Sequence, residues 1–236
     1  MYIIIAGGGL MGTRLAARLV EANTVVVVEQ DFKICEQIAH RVGAVTVEGS
    51  ATSMDALKEA GIRKADVAVG MMRNDADNLA FALLARHFGV GRIAVRMRDE
   101  QFAEPYRLAG ATVVVDTVDI VLQQLVMQIR TPEVRDAIPL GREGEMSVFR
   151  LSVPRNASVG GMTLATLDRM ERFPRSCTVI AVIDPQDRVI PARGDTTLYA
   201  GGEVLFVARN ENLRELIELV TAPAAETAGP GPATAP

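Results

Sequence analysis

The sequence has no tryptophan, two cysteines, two histidines and only 4% aromatic residues. Cys35 and Cys177 stand far apart among apolar neighbours, so neither a disulfide framework nor a cysteine-built metal site is expected. They read as buried free thiols in a reducing compartment. No stretch approaches the ~18 apolar residues of a membrane span. Residues 1–6 run straight into glycines, without the basic start or apolar core of a signal peptide. Positive charge is not in excess either. Lys and Arg number 25 against 29 Asp and Glu, a net charge of −4, which lacks the basic footprint of a general nucleic-acid binder. Any membrane association is therefore expected to come through a partner.

What is present is apolar bulk of an aliphatic kind. Hydrophobic residues make up 49% of 236, enough for a sizeable core of Val, Ile, Leu, Ala and Met, and the length suits two modest domains. From residue 3 to about 116, short β-branched runs at 3–6, 25–29, 45–47, 66–70, 92–96 and 112–115 alternate with helix-period segments at 10–21, 32–41, 54–59, 76–88 and 101–108. That alternation predicts an α/β fold, a Rossmann-like doubly wound parallel sheet with crossover helices. Gly43, Gly61, Gly89 and Gly91 punctuate the helix ends. Residues 118–129 form an amphipathic helix that stops before Thr131 and Pro132 and leads to no seventh parallel strand.

The pattern then changes. Pro132, Pro139, Gly141 and Gly144 mark a polar stretch that reads as a linker over 132–144. Beyond it, strands at 146–153 and 203–208, a short helix at 162–167, a hairpin of 177–183 with 188–190, and a closing helix at 212–220 predict a small α+β domain. The domains are expected at 1–131 and 145–221, followed by a disordered Ala-, Pro- and Gly-rich tail at 222–236.

Gly7, Gly9 and Gly12 form G-x-G-x-x-G between the first strand and first helix, with Gly8, Leu10 and Met11 as the intervening residues. The first glycine permits the tight turn, the second lets a pyrophosphate approach the backbone, and the third lets helix and strand pack closely. The N–H groups opening the helix at Leu10 and its dipole would hold the phosphates. Glu29, at the end of the second strand, stands at the spacing where a carboxylate meets the adenosine ribose and repels a 2′-phosphate, which disfavours NADP. Asp31 reads as the cap of the next helix. Ser50, Ala51 and Thr52 are small enough to leave room for an adenine edge. Arg73, with Arg96 and Arg98 at the end of the fifth strand, faces the carboxyl edge of the sheet. Asn74 or Asp75 is expected to cap the fourth helix. His40 and His87 fall late in crossover helices, on the wrong edge for a ligand. No catalytic triad order, metal-spaced cluster or acid/base pair accompanies the pocket, so the reading is a sensor and not an enzyme.

These landmarks, together with the Asn74-Asp75-Ala76-Asp77-Asn78 and Ile93-Ala94-Val95-Arg96 stretches, and Val189-Ile190-Pro191 and Gly201-Gly202-Glu203-Val204-Leu205 further on, carry a resemblance. The chain resembles TrkA-type regulatory subunits of bacterial potassium uptake systems, with an RCK (KTN) domain followed by an RCK_C (TrkA-C) domain over about residues 1–221. It departs from the family's usual residues at Ser50, at Leu10 and Met11, which leave the loop without a basic side chain, and at Glu203. The resemblance implies binding of NAD(H) or ATP/ADP by Gly7, Gly8, Gly9, Leu10, Met11, Gly12, Glu29, Gln30, Ser50, Ala51, Thr52, Arg73 and Arg96. It also implies assembly into homo-oligomers, dimers and rings, on the cytoplasmic side of a membrane potassium channel whose gating follows ring conformation. Some relatives take cyclic di-AMP in the second domain. Two alternatives remain at this stage: an NAD-dependent dehydrogenase with a substrate-holding second domain, and a nucleotide-binding transcriptional redox sensor. The latter would need a basic recognition helix that the strand-rich second domain does not offer.

Overall fold

The computed structural model describes residues 1–140 and 145–224 and divides into two compact units, Met1–Val121 and the residues from Leu122 onward. The first unit begins with β1 (Tyr2–Ala6), α1 (Leu10–Leu19), β2 (Thr24–Glu29), α2 (Phe32–Val42), β3 (Val45–Glu48) and α3 (Met54–Glu59). It continues with β4 (Val67–Gly70), α4 (Asp75–His87), β5 (Ile93–Met97), α5 (Ala103–Leu108) and β6 (Val113–Asp116). The six strands pair in parallel in the order β3-β2-β1-β4-β5-β6. Strand order reverses between β1 and β4, and in such sheets ligands bind at the carboxyl ends beside that switch.

The near-continuous apolar strands follow from burial on both faces. Ile3, Ile5, Val25 and Val27 pack with Ala16 of α1 and Ile38 of α2, while Ile4, Ala6, Val26 and Val28 belong to the opposite cluster with Leu57, Phe81 and Tyr106. The alternation along β1 and β2 thus assigns each residue to one of two layers. Cys35 and Cys177 are both buried free thiols. Burial, reinforced by the charges of Glu29, Glu48 and Asp31, raises the Cys35 thiol, and burial alone pushes Cys177 up to about 12. Both stay protonated near neutral pH, which keeps them unreactive. His40 and His87 are exposed.

α6 (Thr117–Arg130) follows β6, and the boundary between the two units falls inside it. Asp116 accepts from the N–H groups of Val118 and Asp119 and so starts the helix. None of its residues is buried, and Ile120, Val121, Leu122, Leu125 and Ile129 are all more than half exposed, Ile129 at 79%.

The second unit contains β7 (Val134–Leu140), β8 (Met146–Ser152), α7 (Leu164–Asp168), β9 (Thr178–Ile183), β10 (Val189–Pro191), β11 (Glu203–Arg209) and α8 (Leu213–Thr221). Its antiparallel sheet runs β10-β9-β11-β8-β7 over a core that includes Phe149, Leu151, Leu198, Phe206 and Leu216. The β9–β10 hairpin turns where Asp184 accepts from the backbone N–H groups of Gln186 and Arg188 and pairs with the Arg188 side chain.

Two expectations are corrected here. The stretch read as a linker over 132–144 contains β7, which pairs with β8 from Val134 opposite Leu151 to Leu140 opposite Met146. Pro139, taken as loop punctuation, lies on an edge strand, where a missing N–H costs no ladder bond on the outer side. Residues 141–144 lie outside the described residues. The tail expected to be disordered from 222 is tied down at its start: Ser158 donates to the Ala222 carbonyl at 2.7 Å and Ala224 to that of Asn156 at 2.8 Å. The remainder of that tail, 225–236, is outside the described residues.

Candidate functional site

The loop between β1 and α1 is shaped by its three glycines in three different ways. Gly7 has φ +98°, a conformation that side-chain-bearing residues rarely adopt, and its N–H donates to the Val28 carbonyl at 2.9 Å. A Cβ on Gly12 would drive into the Gly7 carbonyl oxygen, so only glycine lets α1 come this close to the strand end. A Cβ on Gly9 would meet nothing within 4 Å. Gly9 is the N-cap of α1, gives no side-chain cap, and no acidic residue stands in the first helical turn. The opening N–H groups of α1 thus receive no side-chain cap from Gly9 and the backbone can be approached closely there, the combination that suits a phosphate group. Leu10 is 71% exposed and Met11 41%, so both stand in the open at this helix start.

Glu29 ends β2 directly beside the loop. One carboxylate oxygen accepts from the Gly8 N–H at 2.7 Å, and the other accepts from Gln30 at 2.7 Å and Asp31 at 3.0 Å. A carboxylate has about four acceptor positions, so one remains for a hydroxyl donor such as a ribose. Glu29 thus fastens the glycine loop to β2 as well as presenting charge. Gln30 is exposed next to it, and Asp31 caps α2 by accepting from Lys33 and Ile34. After β3, the Gly49 N–H donates to the Glu29 carbonyl at 2.8 Å, which brings the next loop to the same corner. There the Ser50 and Thr52 hydroxyls lie 2.8 Å apart. Ala51 is buried in the core at 2% exposure, backbone included, so it shapes the loop from beneath and is not itself open to a ligand.

Across the switch, the ends of β4 and β5 bring arginines together. The Arg96 guanidinium reaches the Met11 sulfur at 3.2 Å, linking β5 to the glycine loop. Its Nε is buried without a partner. Arg96 and Arg98 both donate to the Arg73 carbonyl, each at 3.4 Å. Among the described residues none of these three arginines makes a salt bridge with a carboxylate. Unpaired guanidinium groups gathered at a sheet edge suit an anion with several oxygens. A cleft of about 650 Å³ opens here, lined by Arg73, Asn74, Asp75, Asp77, Arg98 and Asp99 together with Val118.

Residues that the sequence marked only as the start of the fourth helix hold this second arm in place. Asn74 caps α4, as expected, by accepting from Ala76. Asp75 does something else: it is 8% exposed and receives the Tyr106 hydroxyl at 2.9 Å and the N–H of Asp99 at 3.1 Å. Asn78, 1% exposed, accepts from the Met72 N–H and donates to the Met72 carbonyl, fixing the loop that packs on Gly7. The only signal in the sequence was an excess of polar residues on the first turn of an otherwise apolar helix. Among the described residues no group of three or more His, Cys, Asp and Glu stands in a metal-binding arrangement, and no helix is long and apolar enough to cross a membrane.

Comparison with known proteins agrees with this architecture. Residues 3–117 match the TrkA-N domain and residues 148–221 the TrkA-C domain. A Trk system potassium uptake protein TrkA homolog of Methanothermobacter thermautotrophicus is 26% identical over 91% of this chain and 97% of its own length. One from Pyrococcus abyssi is 28% identical over 93% and 97%. Among solved structures, the GsuK channel superposes with a TM-score of 0.66 at 22% identity, over 93% of this chain and 39% of that one. The GsuK channel bound to NAD gives 0.64 at 20%, over 94% and 40%. The chain thus spans well under half of these channel polypeptides, and at such identities the likeness is one of fold.

The glycines give a paired test. Gly9→Val, whose side chain enters open space, should fold with a melting temperature within about 2 °C of the parent while losing nucleotide binding. Gly12→Ala should lower the melting temperature by roughly 4 °C or more through its collision with the Gly7 carbonyl. Thermal melts with and without nucleotide read both, and equal destabilisation by the two changes would contradict this account of the loop.

Proposed function

The chain belongs to the family in which a TrkA-N domain is followed by a TrkA-C domain, and on that premise we propose that it is the regulatory subunit of a Trk-type potassium uptake system. In this reading it binds an adenine nucleotide, NAD(H) or ATP/ADP, at the carboxyl edge of the first sheet. It works from the cytoplasmic side on a membrane potassium channel and does not turn the nucleotide over. The observation that carries the proposal is the helix start at Gly9, without a side-chain cap, in a loop held by Glu29 at Gly8 and reached by Arg96 at Met11.

The residues present fit such a ligand. The first-turn N–H groups of α1 would receive the phosphates, and the remaining acceptor position of the Glu29 carboxylate would take one ribose hydroxyl. Ser50, Thr52 and Gln30 would border the adenine end. Arg73 and Arg96 would pair with the far phosphate oxygens, in one arrangement of the sheet edge better than in another. A ligand shifts a conformational equilibrium only by its difference in affinity for the two states, and about 1–3 kcal/mol, or roughly 5- to 150-fold, suffices for regulation. The exposed face of α6 supports assembly: Ile120, Leu122, Leu125 and Ile129 are costly to leave in water, and a second copy covering them would bury that surface. The resemblance to ring-forming regulators points the same way.

Three measurements test this reading. Calorimetry should show NADH binding at least about tenfold tighter than NADPH, because a 2′-phosphate would be forced against Glu29; equal affinities would remove the ribose role of that residue. Light scattering at micromolar concentration should give a dimer or larger assembly, with Leu125→Glu shifting it toward monomer; a parent protein that runs as a clean monomer would contradict the α6 argument. In vesicles reconstituted with the Trk membrane subunit, Arg73→Ala/Arg96→Ala should leave nucleotide affinity measurable while flattening the nucleotide dependence of potassium flux. Flux indifferent to the protein, or stoichiometric NADH formation from a small substrate, would overturn the regulatory reading.

A further inference from the structure

Three guanidinium groups stand at the edge of the sheet, and the nearest buried carboxylate pairs with none of them. Asp75 lines the same cleft as Arg73 and Arg98 at 8% exposure, yet its oxygens are taken by donors other than their guanidinium groups. One oxygen accepts from the Tyr106 hydroxyl at 2.9 Å and the Arg98 N–H at 3.2 Å; the other accepts from Arg98 at 3.3 Å and Asp99 at 3.1 Å. The Tyr106 hydroxyl also lies 3.0 Å from the Asp75 carbonyl oxygen, and its ring is fully buried. Burial first, and then the hydrogen bond and charge of Asp75, push its ionisation well above the ordinary tyrosine range, so it remains a donor at physiological pH.

A buried carboxylate is costly unless hydrogen bonds satisfy it. Here they come from the backbone of the loop that follows β5 and from a side chain of α5, while Asp75 itself opens α4 directly after the loop carrying Arg73. One side chain therefore ties three segments together at the point where Arg96 and Arg98 leave the sheet. Because those two guanidinium groups converge on the Arg73 carbonyl, the position of the loop sets the position of the positive charge. We infer that Asp75 is a positioning residue: it holds the Arg96–Arg98 arm against the Arg73 arm, and so fixes the geometry with which the far phosphates of the nucleotide are met. This rests on the nucleotide reading of the cleft. A direct role is closed to Asp75, since an anionic group at its place would repel phosphate.

The test is a double-mutant cycle on the full chain, with NAD and ATP as separate calorimetric probes. Asp75→Asn turns one acceptor into an NH₂ group facing backbone N–H donors and should weaken binding of whichever probe the parent takes by about tenfold. In an Arg96→Ala/Arg98→Ala background the same change should cost less than about twofold, because the groups it positions are gone. A side chain that only supports the fold would give equal losses in both backgrounds, and that result, or no loss in the parent, would overturn the inference. If Asp75→Asn does not fold, Tyr106→Phe removes a donor to the same carboxylate and takes its place in the cycle, with a loss of about threefold expected in the parent and none in the double variant. A parent protein that binds neither probe sinks the nucleotide reading and this inference together; binding with an additive cycle sinks this inference alone.

Discussion

The contact between Gly12 and the carbonyl of Gly7 is the constraint on which the site depends. α1 leaves β1 so abruptly that the third residue of the helix lies on the backbone of the turn before it, with no room for a single methyl group. That approach aims the helix N-terminus along the carboxyl edge of the sheet, with its opening N–H groups given no side-chain cap by Gly9. The Gly8 N–H is drawn aside to Glu29, so the loop is anchored to β2 as firmly as to β1.

The opposite arm is built by the same kind of chemistry on different residues. Asp75 and Asn78 are polar side chains buried at the start of α4, and both bond backbone groups of neighbouring loops, Asp75 taking the Tyr106 hydroxyl as well. Loops have no ladder to hold them, and buried side chains that accept from their N–H groups substitute for one. Both arms of the cleft therefore rest on side chains that order backbone, with the exposed arginines and the helix N-terminus left free to meet a ligand. Arg96 closes the gap between the arms through its contact with Met11.

Most of the first unit could be read from the chain alone. The β-branched runs set the strands, the glycines set the helix ends, and G-x-G-x-x-G followed by Glu29 set the turn from β1 into α1 and its anchor on β2, because each of these signals is local and has a steric or periodic cause. β7 escaped because its proline and charges resemble loop chemistry; its antiparallel pairing with β8 is one that no local composition announces. Ala51 looked like a ligand contact for its small size, whereas the same smallness lets its methyl enter the core. Asp75 looked like a helix cap and is buried instead, with Asn74 taking the cap.

The sequence by itself determined the layer architecture, the turn that aims α1 and the carboxylate that ends β2 beside it, since sterics, periodicity and spacing act over a few residues and leave few alternatives. Tertiary structure decided what faces what across the sheet. That Arg96 of β5 touches Met11 of the first loop, that Tyr106 of α5 donates to Asp75 of α4, and that the apolar residues of α6 are left in water are consequences of strand order and register. The two side-chain pairings join residues 31 and 85 positions apart in the chain, and their energy exists only once the sheet has brought them together.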